Sequence, residues 1–264
     1  MPNGTIIISC DADEEQGGEF GSKYLISKGL LKADFGISME ASEDLVIVDS
    51  DGRIAYSVTY KSDSWHAGTR SEQDNALQKA VKAIDALNNY DATLKRERYF
   101  SAKDGGAILS ITSIKAGTVS NMNPDTCTFT IDRRYTKGET PESSTRELRQ
   151  ILDGLKADDP EMDYDLEIPI ISPRLAMDEK APLIDSIIDT YNEFTGKTIR
   201  RGRRCGGGDT SKITDAYGYP LPQFGPGKFD QLCREDEHLE IDDYLLFIKM
   251  YMGIVVKVMG NVCN

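Results

Sequence analysis

The sequence predicts an α/β protein whose main domain is interrupted by a second, self-contained module. Two observations carry this. Residues 53–171 read in the order β-α-β-β-α-β, the order of a ferredoxin-like split βαβ unit. On either side lie segments of α/β type: a β-branched run entering an acidic turn before the insert, and helices joined through a glycine-rich loop after it. The expected division is one α/β domain over 1–52 and 172–264, with the insert at 53–171. With 264 residues, 39% of them hydrophobic, the chain can build two cores.

In chain order, Ile6-Ile7-Ile8-Ser9-Cys10 is a short apolar run of the kind that forms a buried strand, and Asp11-Ala12-Asp13-Glu14-Glu15-Gln16-Gly17-Gly18 follows it as a turn. Phe20, Tyr24, Leu25 and Leu30 have helical spacing, and Phe35 to Met39 reads as a strand ending at Glu40. Leu45 to Val48 and Ile54 to Tyr60 flank Asp49-Ser50-Asp51-Gly52, a hairpin-like signal. A helix is expected over 74–88, with Leu77, Val81, Ile84 and Leu87 on one face. Two strands follow, Ala107 to Lys115 and Thr126 to Tyr135, and then a helix from Pro141 to about Leu155 and a strand near Tyr164 to Ile170. Pro182 and Gly196 bracket another helix in the usual order of proline in and glycine out. A glycine loop at Gly206-Gly207-Gly208, a short strand near Leu221 to Phe224, and an amphipathic helix from Asp242 to Met259 complete the chain.

The charge balance excludes several partners. Forty-four acidic against 31 basic side chains give a net charge of -13, which repels nucleic acid and anionic membranes. The five cysteines are odd in number and lack CxxC spacing, so neither a disulfide framework nor a zinc ribbon is expected, and a reducing cytoplasm fits. No apolar stretch has the length of a membrane span, and the opening residues do not read as a signal peptide.

Chemistry is expected where a strand ends, in the acidic turn. Of two adjacent glutamates, one can hold a metal while the other takes the proton of an attacking water. Taken singly, each feature has a plainer reading. Glu14-Glu15 would be a surface turn, His66 a surface residue and Gly206-Gly207-Gly208 a flexible loop; a phosphate loop is disfavoured because Gly-Lys-Ser/Thr is missing.

Taken together, four ordered motifs decide between these readings: Asp11 to Gly18, Glu40-Ala41-Ser42, Asn121-Met122-Asn123-Pro124-Asp125 with Asp132-Arg133-Arg134, and Phe224-Gly225-Pro226-Gly227 leading to Asp236-Glu237. The chain resembles the zinc-dependent peptidases and deacylases that include acetylornithine deacetylase, succinyl-diaminopimelate desuccinylase, aminoacylase and carboxypeptidase G. The resemblance implies an incomplete zinc-peptidase α/β catalytic domain carrying a ferredoxin-like dimerisation (lid) domain. It implies Glu14 as general base, and Glu15 and Glu40 as ligands of zinc or cobalt. His66 matches the lid histidine that steadies the oxyanion across a dimer. Asn121 and Arg134 match substrate contacts, and Gly207, Gly208 and Lys212 belong to the loop that receives a substrate carboxylate.

Two departures from the family pattern are visible. A His-x-Asp motif and a bridging aspartate, expected ahead of the acidic turn, have no counterpart, so the front of the catalytic domain is expected to be absent from this chain. Cys233 stands where the last zinc histidine belongs; thiolate is a competent zinc ligand. His238 matches an aromatic position and reads as structural. The expectation is a soluble homodimeric amide hydrolase of N-acylated amino acids or small peptides, impaired as this chain alone. The alternative is a non-catalytic homologue acting as a dimerising, binding or regulatory module.

Overall fold

The computed structural model describes residues 4–69, 75–232 and 234–260. In chain order the elements are α1 (Ser22–Ser27), β1 (Leu45–Ser50), β2 (Gly52–Lys61), β3 (Trp65–His66), α2 (Ala76–Arg98), β4 (Tyr99–Ser101), β5 (Gly105–Gly106), β6 (Ile108–Ala116), β7 (Met122–Asn123), β8 (Thr126–Tyr135), α3 (Pro141–Asp158), β9 (Tyr164–Ser172), α4 (Pro182–Thr195), β10 (Arg200–Arg204), α5 (Gly208–Tyr217) and α6 (Ile241–Gly260). They form two compact units, 51–172 and 1–50 with 173–264.

In the 51–172 unit, four antiparallel strands lie in the order β6-β8-β2-β9. Alternation explains the sheet. Ile54, Tyr56, Val58 and Tyr60 of β2, and Cys127, Phe129 and Ile131 of β8, point to one buried face, where Ala80, Ala83 and Leu87 of α2 and Leu148 and Leu152 of α3 meet them. The opposite face keeps Arg53, Ser57 and Thr59 partly open to water. Asn75 caps α2 by accepting from the amides of Leu77 and Gln78, and Thr140 and Ser143 form a reciprocal cap on α3. Helix α2 runs ten residues past the end that apolar spacing suggests, with Leu94 buried and Lys95, Arg96 and Arg98 in its last turn complementing the helix dipole.

In the other unit, β1 is buried on both faces and pairs in parallel with β10, Leu45 opposite Arg200 and Ser50 opposite Arg204. The hairpin expected between residues 45–48 and 54–60 does not form. Leu45 and Ile47 pack with Leu175, while Val46 and Val48 face Ile184 and Ile187 of α4 and Phe247, Met250 and Ile254 of α6, and a strand wanted on both faces cannot end in a two-sided turn. Strand β10 escapes sequence reading because Arg200-Arg201-Gly202-Arg203-Arg204 has no apolar pattern. Its guanidinium groups are instead held by carboxylates, Arg203 by Asp49 and the buried Arg204 by Glu43 and Asp44.

Three further expectations change. Ile6, Ile7 and Ile8 are exposed, Ile8 by 82%, and belong to no strand, since no described strand pairs with them. Residues 35–39 and 221–224 form no regular strands; they run together through the Ser38–Gln223 bridge and through hydrogen bonds from the Ser38 amide to the Pro222 carbonyl and from the Phe224 amide to the Ser38 carbonyl, while Gln223 also bridges to Ile47 of β1. The first helix is confined to Ser22–Ser27. Helices α4 and α6 match expectation, and Gly196 closes α4 in the left-handed region at φ 67°. No helix of the described residues is long and apolar enough to cross a membrane.

Candidate active site

Glu14 begins a 3-10 turn over Glu14–Gln16 that is tied to itself. The amides of Gly17 and Gly18 donate to the carbonyls of Glu14 (3.0 Å) and Asp13 (2.8 Å), and the Asp13 carboxylate accepts from the amide of Phe20. Gly17 (φ 104°) and Gly18 (φ 75°) make this path possible, and Gly18 is also short of room. A Cβ there would stand 2.6 Å from Ser22 Oγ, 3.0 Å from Asp209 Oδ1 and 3.2 Å from Lys212 Nζ. The turn therefore lies against the start of α5. At Gly208 a Cβ would come within 2.6 Å of Glu14 Oε1, so the Glu14 carboxylate sits over the amino end of that helix.

Asp209 fastens this junction. Its Oδ1 accepts from Ser22 Oγ at 2.6 Å and from Lys212 Nζ at 2.8 Å, while its buried Oδ2 has no hydrogen-bond partner among the described residues. Farther along, Thr210 Oγ1 donates to Ser38 Oγ, and Gln223 Nε2 donates to Thr210 Oγ1 and to the Gly207 carbonyl. The segment leading to Glu40 is thereby tied to the same helix start.

Glu40 is fixed from its other side by Ser42, whose amide and hydroxyl donate to the Gly225 carbonyl and whose hydroxyl accepts from the Gly225 amide. Gly225 must be glycine because a Cβ would lie 2.6 Å from the Glu40 carbonyl oxygen. An open cleft of about 340 Å³ results, with Glu40, Pro226, Leu232, Glu237 and His238 in its wall. His238 donates from Nδ1 to the Asp236 carbonyl at 2.7 Å, which leaves Nε2 without a proton in the neutral ring.

These placements concentrate negative charge. Partial burial, then Asp209, Glu15 and Glu40, raise the pKa of Glu14 above its ordinary value, against a lowering pull from Lys212. Glu40 keeps part of its side chain in solvent, yet crowding by the chain and then Asp209, Glu15 and Glu237 raise it likewise. Glu14, Glu15 and Glu40 therefore share one electrostatic neighbourhood with Asp209 and Glu237. Sequence reading assigned Asp209 and Ser22 no role of their own and took His238 as structural. Only the charge of Asp209 beside Lys212 hinted at it, and the partner Ser22 lies at the far end of the chain.

The remaining predicted residues lie in the 51–172 unit. The β3–β7 ribbon pairs His66 with Met122, and the Ala67 amide donates to the Asn121 carbonyl at 2.9 Å, so His66 and Asn121 are neighbours. His66 is exposed, and its Nδ1 accepts from the Gly68 amide at 3.1 Å, which fixes the neutral ring with its proton on Nε2 as an outward donor. Arg134 is not brought to them. It stands at the opposite end of β8, about 26 Å along a strand rising 3.3 Å per residue, with its guanidinium spent on Asp132.

For a metal, the donor chemistry fits in charge but is incomplete in number. Carboxylates that raise one another's pKa values are the environment a divalent cation relieves, yet among the described residues no three His, Cys, Asp or Glu side chains could together hold one. Cys233, the third expected ligand, lies outside the described residues.

Comparison with known proteins agrees with this architecture. The peptidase dimerisation domain profile matches residues 49–160. Carboxypeptidase G2 of Pseudomonas sp. strain RS-16 is 29% identical over 233 residues, covering 84% of this chain and 53% of that protein. Acetylornithine deacetylase of Myxococcus xanthus is 23% identical, covering 90% and 61%. The chain thus spans a little over half the length of these curated relatives. Among solved structures, a Staphylococcus aureus tripeptidase superposes with a TM-score of 0.72 at 21% identity, over 94% of this chain and 63% of that one. An M20 family metallo-carboxypeptidase of Sulfolobus solfataricus gives 0.72 at 12% identity, over 92% and 68%. The chain carries the peptidase dimerisation domain and is similar over most of its length to M20 peptidases and deacylases, among them carboxypeptidase G2, acetylornithine deacetylase and succinyl-diaminopimelate desuccinylase.

Proposed function

We propose that this chain is the acid-base and dimerisation portion of a metal-dependent amide hydrolase acting on N-acylated amino acids or small peptides. The observation that carries the reading is Glu14. It is held on a rigid turn over the amino end of α5, with its carboxyl made more basic by burial and by Asp209, Glu15 and Glu40. A base with a raised pKa is better matched to proton abstraction near neutral pH. Glu15, Glu40 and Cys233 are the proposed ligands, and zinc or cobalt bound there would supply positive charge to polarise the scissile carbonyl and acidify the attacking water. Glu14 takes the proton of that water and returns it to the leaving nitrogen. His66 presents Nε2–H as a donor for the oxyanion. Asn121, beside it, contacts the substrate, and Gly207 and Gly208 receive the substrate's anionic end.

The protein works as a homodimer in this reading, paired through the 51–172 unit. A second reading, a non-catalytic dimerising module, is favoured by that unit's own closed core, in which Ile54, Val58, Leu87, Phe129 and Leu152 are fully buried without help from the rest of the chain. One experiment separates the two. The purified chain, loaded with zinc or cobalt, is assayed on N-acetyl amino acids and dipeptides beside Glu14→Gln. Turnover lost in Glu14→Gln by about a hundredfold or more, with metal retained, supports the hydrolase. A metal-free dimer without turnover supports the module. Turnover indifferent to Glu14→Gln would remove Glu14 from the mechanism.

A further inference from the structure

The loop that leads into α5 raises a question of charge. Lys212 is the cation nearest the acidic turn, and on sequence grounds it is the natural receptor for a ligand's carboxylate. The structure gives that ammonium another partner. Its Nζ lies 2.8 Å from Asp209 Oδ1, the two side chains are only 10% and 13% exposed, and the same oxygen is held by Ser22 Oγ, which is fully buried. Nearly buried charges in direct contact behave as a neutral pair, because parting them in a low-dielectric surround leaves each uncompensated. The bare Cα of Gly18 packs close over the pair, where a Cβ would stand 3.0 Å from Asp209 Oδ1 and 3.2 Å from Lys212 Nζ. The carboxylates around it, Glu14, Glu15, Glu40 and Glu237, further disfavour an approaching anion.

We infer that Asp209 is a specificity-determining residue, which holds Lys212 and so withholds its positive charge from the ligand. The site then distinguishes poorly between a ligand ending in a carboxylate and one ending in a neutral amide. This rests on the reading of the acidic turn and α5 as a substrate site.

The test uses two probes on the full chain, N-acetylglycine and its neutral analogue N-acetylglycinamide, with dissociation constants read by NMR titration at neutral pH. In the unmodified protein the two should bind within about threefold of each other, and Lys212→Met, which leaves the Asp209 carboxylate uncompensated, should weaken N-acetylglycine about fivefold against the amide. Asp209→Asn should tighten N-acetylglycine about fivefold and leave the amide unchanged, and adding Lys212→Met should reverse the gain. Ser22→Ala keeps the ion pair and should leave the ratio unaltered, which separates charge cancellation from mere packing. A tenfold preference for the carboxylate in the unmodified protein that Lys212→Met abolishes would overturn the inference. So would a folded Asp209→Asn with an unchanged ratio, or failure of both probes to bind. Loss of the hydrolase reading has a different signature: no turnover by the metal-loaded chain, with the probe ratios as stated.

Discussion

The junction between the acidic turn and α5 makes Gly17→Ala and Gly18→Ala a matched pair. Both glycines have positive φ, 104° and 75°, so either alanine incurs about 1–2 kcal/mol of left-handed strain. They differ in surroundings. A Cβ at Gly17 meets nothing within 4 Å, whereas one at Gly18 lies 2.6 Å from Ser22 Oγ and 3.0 Å from Asp209 Oδ1. Relieving that contact parts Ser22 from Asp209, a hydrogen bond to a charged group, at a further cost of about 1.5–3 kcal/mol. Urea unfolding should therefore show Gly18→Ala less stable than Gly17→Ala by about that increment, roughly a 1 M difference in midpoint at an m-value of about 2 kcal/mol/M. The single tryptophan, Trp65, lies in the other unit, so far-UV circular dichroism and hydrogen exchange of residues 13–22 are the proper probes. Equal midpoints for the two variants would refute the packing of the turn on α5.

Three other outcomes follow from the structure. The folded-state pKa values of Glu14 and Glu40 are raised above the ordinary 4.5, so the folded protein holds these protons more tightly than the unfolded chain. The stability this confers is complete below about pH 4.5 and is lost as pH rises through the folded values, so Glu14→Gln and Glu40→Gln should gain on the unmodified protein across that rise in a pH series of thermal melts. In the 51–172 unit, Arg133 is 1% exposed and shares the buried Glu139 with Arg98, so Arg133→Met should cost about 1.5–3 kcal/mol by removing one of the two guanidinium groups that hold that carboxylate, read from Trp65 fluorescence on unfolding. His66→Ala, at an exposed position, should leave the melting temperature unchanged and lower metal-dependent turnover about a hundredfold; an unchanged rate would withdraw His66 from the oxyanion role.

How much of this was legible in the sequence depends on the range of the forces involved. Strand β2 announces itself because Ile54, Tyr56, Val58 and Tyr60 alternate over one buried face, and α4 because Pro182 and Gly196 mark its ends; both signals are local. Strand β10 was illegible because arginines replace apolar residues there, and its pairing depends on Asp49, Glu43 and Asp44, more than 150 residues earlier in the chain. Helix α5 begins in a glycine run and buries a single aliphatic side chain, Ile213, so periodicity had little to work on. Ile6-Ile7-Ile8 failed in the opposite sense, since a β-branched run states only a preference that a sheet neighbour must satisfy. Within the site, Glu14 and Glu40 stood in recognisable motifs. Asp209 was hidden because its significance lies in Ser22 and Gly18, which reach it only through the fold.

The charge arrangement also has a consequence for the order of binding. Two unit charges 4 Å apart repel by about 1 kcal/mol in water and about 4 kcal/mol at the effective dielectric of a protein surface. Glu14 and Glu40 each feel Asp209 and Glu15 at such close quarters, and Lys212, the cation beside them, is already held by Asp209. An anionic ligand arriving first would add to this repulsion and gain no compensating charge from the chain. A divalent cation arriving first relieves the carboxylates and then attracts the ligand, so in the proposed hydrolase each strengthens binding of the other by the same factor, as linkage requires. A free lysine would weaken that coupling by serving the anion alone. Pairing Lys212 with Asp209 therefore leaves the cation, in the proposed hydrolase, as the main source of any preference for an anionic ligand.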